Sequence, residues 1–243
     1  MPSDVHGRIE DGFIVKDVFK AELAGLRVMV CMPVFRDVSV PTFISYADSV
    51  SLATSYNVPV DLQVQWQCSC IKAVRSKCAH FFLKSSATKL FWIDSDMMWS
   101  AEAFMRLVAL SVKMDIVSGT YVFKQDAPRF MLSHIEGKDI VPNEYGCIPI
   151  TGNGLGFTIV DRRVIEKLSS FAPMRDINDP ECDGPIPHIF ETRDKAVGED
   201  KAFFGDCIEL GFTPWLDPSI QLGHVGQKIY TASFGDYLKS KEI

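Results

Sequence analysis

The sequence predicts an α/β protein built on a mostly parallel central sheet with helices on both faces. Three observations lead there. Strand-like and helix-like segments alternate as β-α-β-α-β-α-β between residues 26 and 123. The first strand-like run, "LRVMVCMPVF" (26 to 35), is apolar throughout, as a strand buried on both sides must be. The chain is 243 residues long and 47% hydrophobic, enough to cover such a sheet with a full core.

Residues 1 to 25 mix charged and apolar residues without a clear period, apart from a short helical pattern in "DVFKAELAG" ending at Gly25, and are expected to be an extension. After the first strand, "PTFISYADSVSLATSYN" places Phe43, Ala47, Val50 and Thr54 at helical spacing, with Pro41 in the first turn and Asn57 as the stop. "PVDLQVQW" alternates Val60, Leu62, Val64 and Trp66 with Asp61, Gln63 and Gln65, which predicts a strand with one wetter face. "SCIKAVRSKCAHFFLKSS" returns to helical spacing through Ile71, Val74, Cys78, Phe81 and Phe82. "KLFWID" is the next strand, and Ser100 caps a helix whose apolar face is Phe104, Leu107, Val108 and Leu110. "DIVSGTYVF" closes the series as a strand.

The second half is less regular. Residues 130 to 168 read as short strands and glycines followed by a helix. Residues 172 to 198 are rich in Pro, Asp and Gly and are expected to form a long, mobile acceptor or lid loop. "EDKAFFGDCIELGF" predicts a helix with Phe203, Phe204, Cys207 and Ile208 inward and Gly211 as its stop. "TPWLDPSIQLGHVGQ" predicts a strand leading to His224, and residues 236 to 243 a tail.

A net charge of -6 and an isoelectric point near 5.4 give no general attraction for nucleic acid or anionic membranes. No run of membrane-spanning length and no secretory leader pattern is visible, and the seven cysteines sit mostly in apolar runs as reduced thiols do. Cys68 and Cys70 form C-x-C without a second pair at zinc spacing. A cytoplasmic protein is the expectation.

The chemistry concentrates in "LFWIDSDMMWS" (90 to 100), where an apolar strand runs into Asp94 and Asp96. In an extended segment, residues two apart face one point, and two carboxylates so placed repel unless a cation lies between them. Mg²⁺ or Mn²⁺ takes such hard oxygen ligands and shares them with phosphates. In a parallel α/β sheet, strand carboxyl ends are where ligands bind. An exposed acidic turn is the plain alternative. His224, between Gly223 and Gly226, could complete a metal site with nitrogen, or be structural. Glu199 and Asp200 open a helix, where they either offset the dipole or supply a base for an acceptor hydroxyl. Asp200 is the first choice for that base and Glu199 the second. "TGNGLGF" (151 to 157) lacks the strand-then-helix setting of a dinucleotide fingerprint, and its glycines either admit a sugar or acceptor or mark a bulge. Arg75 faces a phosphate or plain solvent.

Taken in order, "MPVFR", "CIKAVRSKCAHFFL", "LFWIDSDM", "DIVSGTYVFK", "TGNGLGFTIVDRRVIEKL", "GEDKAFF" and "WLDPSIQLGHVGQ" resemble the GT-A fold glycosyltransferases, in particular small family-2-like enzymes of bacteriophage and bacteria. The likeness covers about residues 26 to 230 and implies one GT-A domain over 26 to 235. It further implies that Asp94 and Asp96 are the D-x-D pair, with Asp96 on the metal and Asp94 nearer the ribose or the metal. Ser95 lies between them at the nucleotide, and His224 is the last metal ligand. Pro33 and Phe35 would border the uridine pocket and Arg75 would face the nucleotide. Gly119 to Tyr121 and Gly154 would lie around the donor sugar or acceptor, with Glu199 and Asp200 near the acceptor. Relatives often carry Asn after that arginine, where this chain has Ser76.

The function so implied is metal-dependent transfer of a hexose from a nucleotide sugar, a UDP-sugar first, to a hydroxyl, with inversion favoured and Mn²⁺ or Mg²⁺ as cofactor. The acceptor is open among a modified DNA base, a protein and a glycan. Two alternatives remain: a nucleotidyltransferase, although "CMPVFRDVS" is no glycine- and lysine-rich phosphate loop, and an inactive nucleotide-sugar-binding module. A haloacid-dehalogenase-type phosphatase would carry its D-x-D on the first strand, which this chain does not.

Overall fold

A computed structural model of the chain describes residues 22–67, 70–133, 141–191 and 198–240. Its elements in chain order are β1 (Val28–Val34), α1 (Val40–Ser55), β2 (Val60–Trp66), α2 (Ile71–Lys84), β3 (Lys89–Ile93), β4 (Met97–Met98), α3 (Ala101–Leu110) and β5 (Ile116–Ser118). There follow β6 (Leu132–Ser133), β7 (Ile148–Pro149), β8 (Gly152–Asn153), β9 (Phe157–Asp161), α4 (Arg162–Phe171), β10 (Met174–Arg175) and β11 (Ile186–Pro187). The last are α5 (Glu199–Glu209), β12 (Pro214–Leu216), β13 (Gly223–Val225), β14 (Ile229–Thr231) and α6 (Phe234–Ser240). Most of the short helix expected before Gly25 lies outside the described residues; Gly25 itself has φ +87°, as a helix stop would.

Seven strands form the main sheet in the order β2-β1-β3-β9-β5-β12-β7. β1 pairs in parallel with β2 and β3, and β5 with β12, while β9 runs antiparallel between β3 and β5 and β7 antiparallel along β12. The fold class is therefore the expected one: a mixed α/β protein with a mostly parallel sheet. Alternation along the central strands builds two cores. Val28, Val30, Met32, Phe91, Ile93 and Val117 pack on one face under α1 and α3; Met29, Cys31, Leu90, Trp92 and Ile116 pack on the other under α2, α4 and α5. Each fully buried side chain of that size contributes roughly 1.5–3 kcal/mol.

Local signals account for the helix ends. Ser39 accepts from Thr42 N and Pro41 sits in the first turn of α1, which stops before Asn57 at φ +56°. Ser100 accepts from Ala103 N at the start of α3. The start of α1 also braces the segment after β3, because Ser39 N donates to Ser95 O (2.9 Å) and the Thr42 hydroxyl to Met97 O (2.6 Å).

Several expectations are corrected. The apolar set of β2 was expected to face inward, yet Leu62, Val64 and Trp66 are exposed and Gln65 is buried. β2 is an edge strand, so it is covered less completely than the strands inside the sheet. Ile208 is likewise exposed on α5. The single strand expected before His224 is split into β12 and β13, which belong to different sheets. The expected tail is helical as far as Ser240, continuing α6, whose Phe234 and Tyr237 rings pack on Phe130. Cys31, Cys78, Cys147, Cys182 and Cys207 are buried free thiols and Cys70 is exposed, while Cys68 lies outside the described residues.

The described part of the expected loop, residues 172 to 191, carries structure: β10 and β11 pair antiparallel, and Asp176 and Asp179 cap their own turns. Lys77, buried on α2, donates to Asp179 (2.6 Å) and Glu181 (2.5 Å) and so ties this segment to the sheet-covering helix. Burial by itself would lower the Lys77 ammonium, but its hydrogen bonds to the two carboxylates outweigh that and raise it; the Lys77 bond in turn lowers Asp179. The Lys77 contribution is therefore complete below the ordinary lysine range and is lost as pH rises through its raised value. The Asp179 contribution is complete above the ordinary carboxylate range and is lost as pH falls through its lowered value. Lys77→Ala is expected to cost roughly 1–2 kcal/mol in urea melts, Glu181 adding little because it is largely in water. That difference should be flat from about pH 5 to 10 and shrink below about pH 4; an undiminished difference in acid would show that the pair is not its source.

Candidate active site

The carboxyl ends of the parallel strands meet the starts of β9 and α5 around an open cleft of about 390 Å³. Of the residues singled out in the sequence, Pro33, Phe35, Arg75, Asp94, Ser95, Asp96, Tyr121, Glu199, Asp200 and His224 line it. Gly119 and Gly154 do not. The face of Gly119 is filled by Ile220, Leu222 and Phe157, so it packs into the core.

The two aspartates are paired separately. Residues 94 to 97 form a turn, with Met97 N donating to Asp94 O, so the two-residue period of a strand fails there. Each carboxylate has its own cation. Asp94 accepts from Arg75 Nη2 (3.0 and 3.4 Å), and Asp96 Oδ2 lies 2.5 Å from Lys124 Nζ and 3.6 Å from His224 Nε2. Among the described residues no three His, Cys, Asp or Glu side chains converge as a metal cage requires.

Arg75 is not the exposed helical arginine that its helix pattern allowed. Its side chain is 3% exposed and lies among three carboxylates: Asp94, Asp200 through Nη1, and Glu199 at 3.6 Å. Its Nε is buried without a hydrogen-bond partner among the described residues. Its Nη1 and Nη2 each face a carboxylate, which offsets the desolvation of a buried guanidinium. Asp200 has both oxygens engaged, one by Arg75 and one accepting from Leu155 N (3.3 Å). Glu199, with its single 3.6 Å contact to Arg75, is the less restrained of the pair. Both sit in the first turn of α5, which has no side-chain cap, where the helix dipole favours negative charge.

His224 is oriented through its far nitrogen. Nδ1 faces the Val122 carbonyl at 2.9 Å, and since a carbonyl only accepts, Nδ1 carries the proton. Nε2 is thereby turned toward Asp96 Oδ2, 3.6 Å away. Tyr121 packs edge-on against the ring (5.1 Å between centroids), and Val225 N donates to Asp96 O (2.7 Å), locking β13 to the turn. Burial alone would raise the Asp96 carboxyl, but hydrogen bonds from His224 and Lys124 hold it below the usual carboxylate range. A histidine fixed through Nδ1 by a backbone carbonyl, with Nε2 turned to a carboxylate, is a donor pair that fits a hard divalent ion completing its shell with phosphate. Asp94, held by Arg75, is outside that pair.

Tyr121 explains the glycines of "TGNGLGF". A Cβ on Gly154 would lie 2.2 Å from the Tyr121 hydroxyl oxygen, and one on Gly156 would lie 2.7 Å from Asp94 Oδ2 and 2.8 Å from that hydroxyl. Gly156 N donates to Tyr121 Oη and its carbonyl accepts from Asp94 N. The glycines admit a tyrosine and an aspartate rather than a ligand. Burial, more than the neighbouring Asp94, pushes the Tyr121 phenol far above its ordinary range, so it stays neutral.

Lys124 was not singled out in the sequence. It closes the motif "DIVSGTYVFK", but nothing in its spacing shows that the chain turns back to lay it on Asp96. Ile71, Val74 and Met131 also line the cleft unforeseen.

Fold and cleft together define a mixed α/β protein with a charged cleft at the carboxyl edge of its parallel strands. No protein-family model and no curated protein matches the chain. Among solved structures it is similar to A197 from STIV, at 17% identity and a TM-score of 0.57 over 86% of this chain and 91% of that one, a likeness of fold. It overlaps more loosely with 4-diphosphocytidyl-2C-methyl-D-erythritol synthase from Anaerococcus prevotii, at 12% identity and a TM-score of 0.35 over 78% of this chain and 99% of that one. It also overlaps with a glycosyltransferase involved in the glycosylation of the major capsid of PBCV-1, at 9% identity and a TM-score of 0.33 over 60% and 68%. No helix of the described residues is long and apolar enough to cross a membrane.

Proposed function

We propose that the chain is a glycosyltransferase that takes a hexose from a nucleotide sugar, a UDP-sugar first, and passes it to a hydroxyl with inversion. The observation that carries this is the oriented Asp96–His224 pair in the same cleft as the acidic start of α5. The motif order that resembles GT-A enzymes adds to it. Asp96 and His224 would hold a Mn²⁺ or Mg²⁺ ion, and when bound that ion neutralises charge on the leaving diphosphate. Phe35, largely exposed at the end of β1, offers a face on which the base can stack. Arg75 pairs with Asp94 and Asp200 and holds both in place. Glu199 or Asp200 takes the acceptor proton, and the engagement of both Asp200 oxygens favours Glu199.

The experiment is a calorimetric titration of UDP with Mn²⁺, repeated in EDTA, on wild type and Asp96→Ala. Metal-dependent binding that weakens at least tenfold in Asp96→Ala is expected, since the variant loses a charged ligand. A preference for UTP or CTP over UDP would favour the nucleotidyltransferase reading, and no nucleotide binding would remove both. For the base, Glu199→Gln should keep UDP binding and lose most transfer.

A further inference from the structure

Lys124 carries an inference that rests on the reading above and concerns how the site is kept before substrate arrives. Its ammonium lies 2.5 Å from Asp96 Oδ2, the same oxygen that faces His224 Nε2 at 3.6 Å. The Asp96 carboxylate is stabilised by positive charge beside it, and the chain supplies that charge from its own side chain. The placement is built. The Lys124 stem crosses β13–β14 at Gly226, where a Cβ would come within 3.1 Å of its Cδ. The hairpin that carries Lys124, closed by an antiparallel bridge between Val122 and Phe130, meets the same turn through an exposed ion pair, Lys228 Nζ–Asp126 Oδ1 (2.6 Å). The second glycine of "LGHVGQ" thus makes a notch for a lysine stem.

We infer that Lys124 is a placeholder cation: it neutralises the Asp96–His224 pair in the free protein, keeps a lone divalent ion out, and moves to the diphosphate when nucleotide and metal enter together. A divalent ion has to displace the ammonium from Asp96, and an incoming diphosphate offers that ammonium a better partner, with more charge and several acceptor oxygens. Metal and nucleotide therefore bind as a pair, each raising the affinity for the other.

The test begins without nucleotide. Mn²⁺ is titrated into wild type and Lys124→Met, followed by electron paramagnetic resonance of free Mn²⁺. Lys124→Met is expected to bind Mn²⁺ roughly five- to tenfold more tightly, as removal of one partly exposed competing charge allows. Gly226→Ala presses on the stem without removing the charge and should shift Mn²⁺ affinity the same way by a smaller factor. UDP is then titrated with saturating Mn²⁺, where Lys124→Met should bind several-fold more weakly than wild type. Equal Mn²⁺ affinity in wild type and Lys124→Met overturns the inference. Failure of wild type to bind UDP with or without Mn²⁺ overturns the transferase reading instead, and the nucleotide-free comparison still decides the role of Lys124.

Discussion

Arg75→Met is expected to lower stability by about 3 kcal/mol and to abolish nucleotide binding. The guanidinium is the shared counter-ion of Asp94, Asp200 and Glu199, and the uncharged, unbranched stem of methionine leaves those carboxylates to repel one another. Breaking a buried pair from one side costs about 3–5 kcal/mol. The lower end applies because the carboxylates are 20–27% exposed and regain some water. In a chain of this size that corresponds to a fall in melting temperature of roughly 6–12 °C. Arg75→Lys keeps one charge but cannot reach three partners from one planar head, so it should fall between wild type and methionine. A melting temperature within about 2 °C of wild type for Arg75→Met would mean that the carboxylates do not depend on this cation. Asp94→Asn in the Arg75→Met background should recover part of the loss, since it removes one of the stranded charges.

Gly154→Ala should be nearly as damaging for the site, by a steric route. Its Cβ would lie 2.2 Å from the Tyr121 hydroxyl oxygen and 2.7 Å from Cζ, and the ring is buried on all sides. Tyr121 would have to retreat toward His224 and give up its hydrogen bond from Gly156 N. Over-packing of this kind costs about 1–3 kcal/mol. The displacement would also turn the imidazole away from Asp96, so nucleotide affinity should fall further than the stability loss explains. Tyr121→Phe removes the clashing oxygen while keeping the ring. The double variant Tyr121→Phe, Gly154→Ala should therefore be more stable than the sum of the two single changes. Strict additivity in that cycle would show that the glycine is required for some other contact.

These two residues also show how far the sequence could be read. Arg75 was visible as a candidate beside a nucleotide, but its helix suggested an exposed side chain. Its burial arises because Asp200, 125 residues later, folds against it. The aspartate pair was legible as a site, and its shared geometry was not, because a turn replaced the strand on which the two-residue period depends. Gly154 stood out as a glycine in an extended run, yet no local pattern names the tyrosine that needs its space. β2 shows the same limit at the level of elements: its alternation was correct, while the face it presents to water followed from being an edge strand.

The sequence by itself determined the alternating elements of the first half, the caps of α1 and α3, the mostly parallel α/β class and the neighbourhood of the cleft. Each of those rests on forces that act within a few residues: side-chain periodicity, a capping hydroxyl, a proline in a first turn, a residue tolerant of positive φ. Tertiary structure alone decided that β9 runs antiparallel between β3 and β5, that Asp94 belongs to Arg75 and Asp96 to Lys124 and His224, and that the glycines near the cleft serve Tyr121 and Asp94. Those outcomes are settled by charge pairing and close packing between segments far apart in the chain, which meet only after the sheet has assembled.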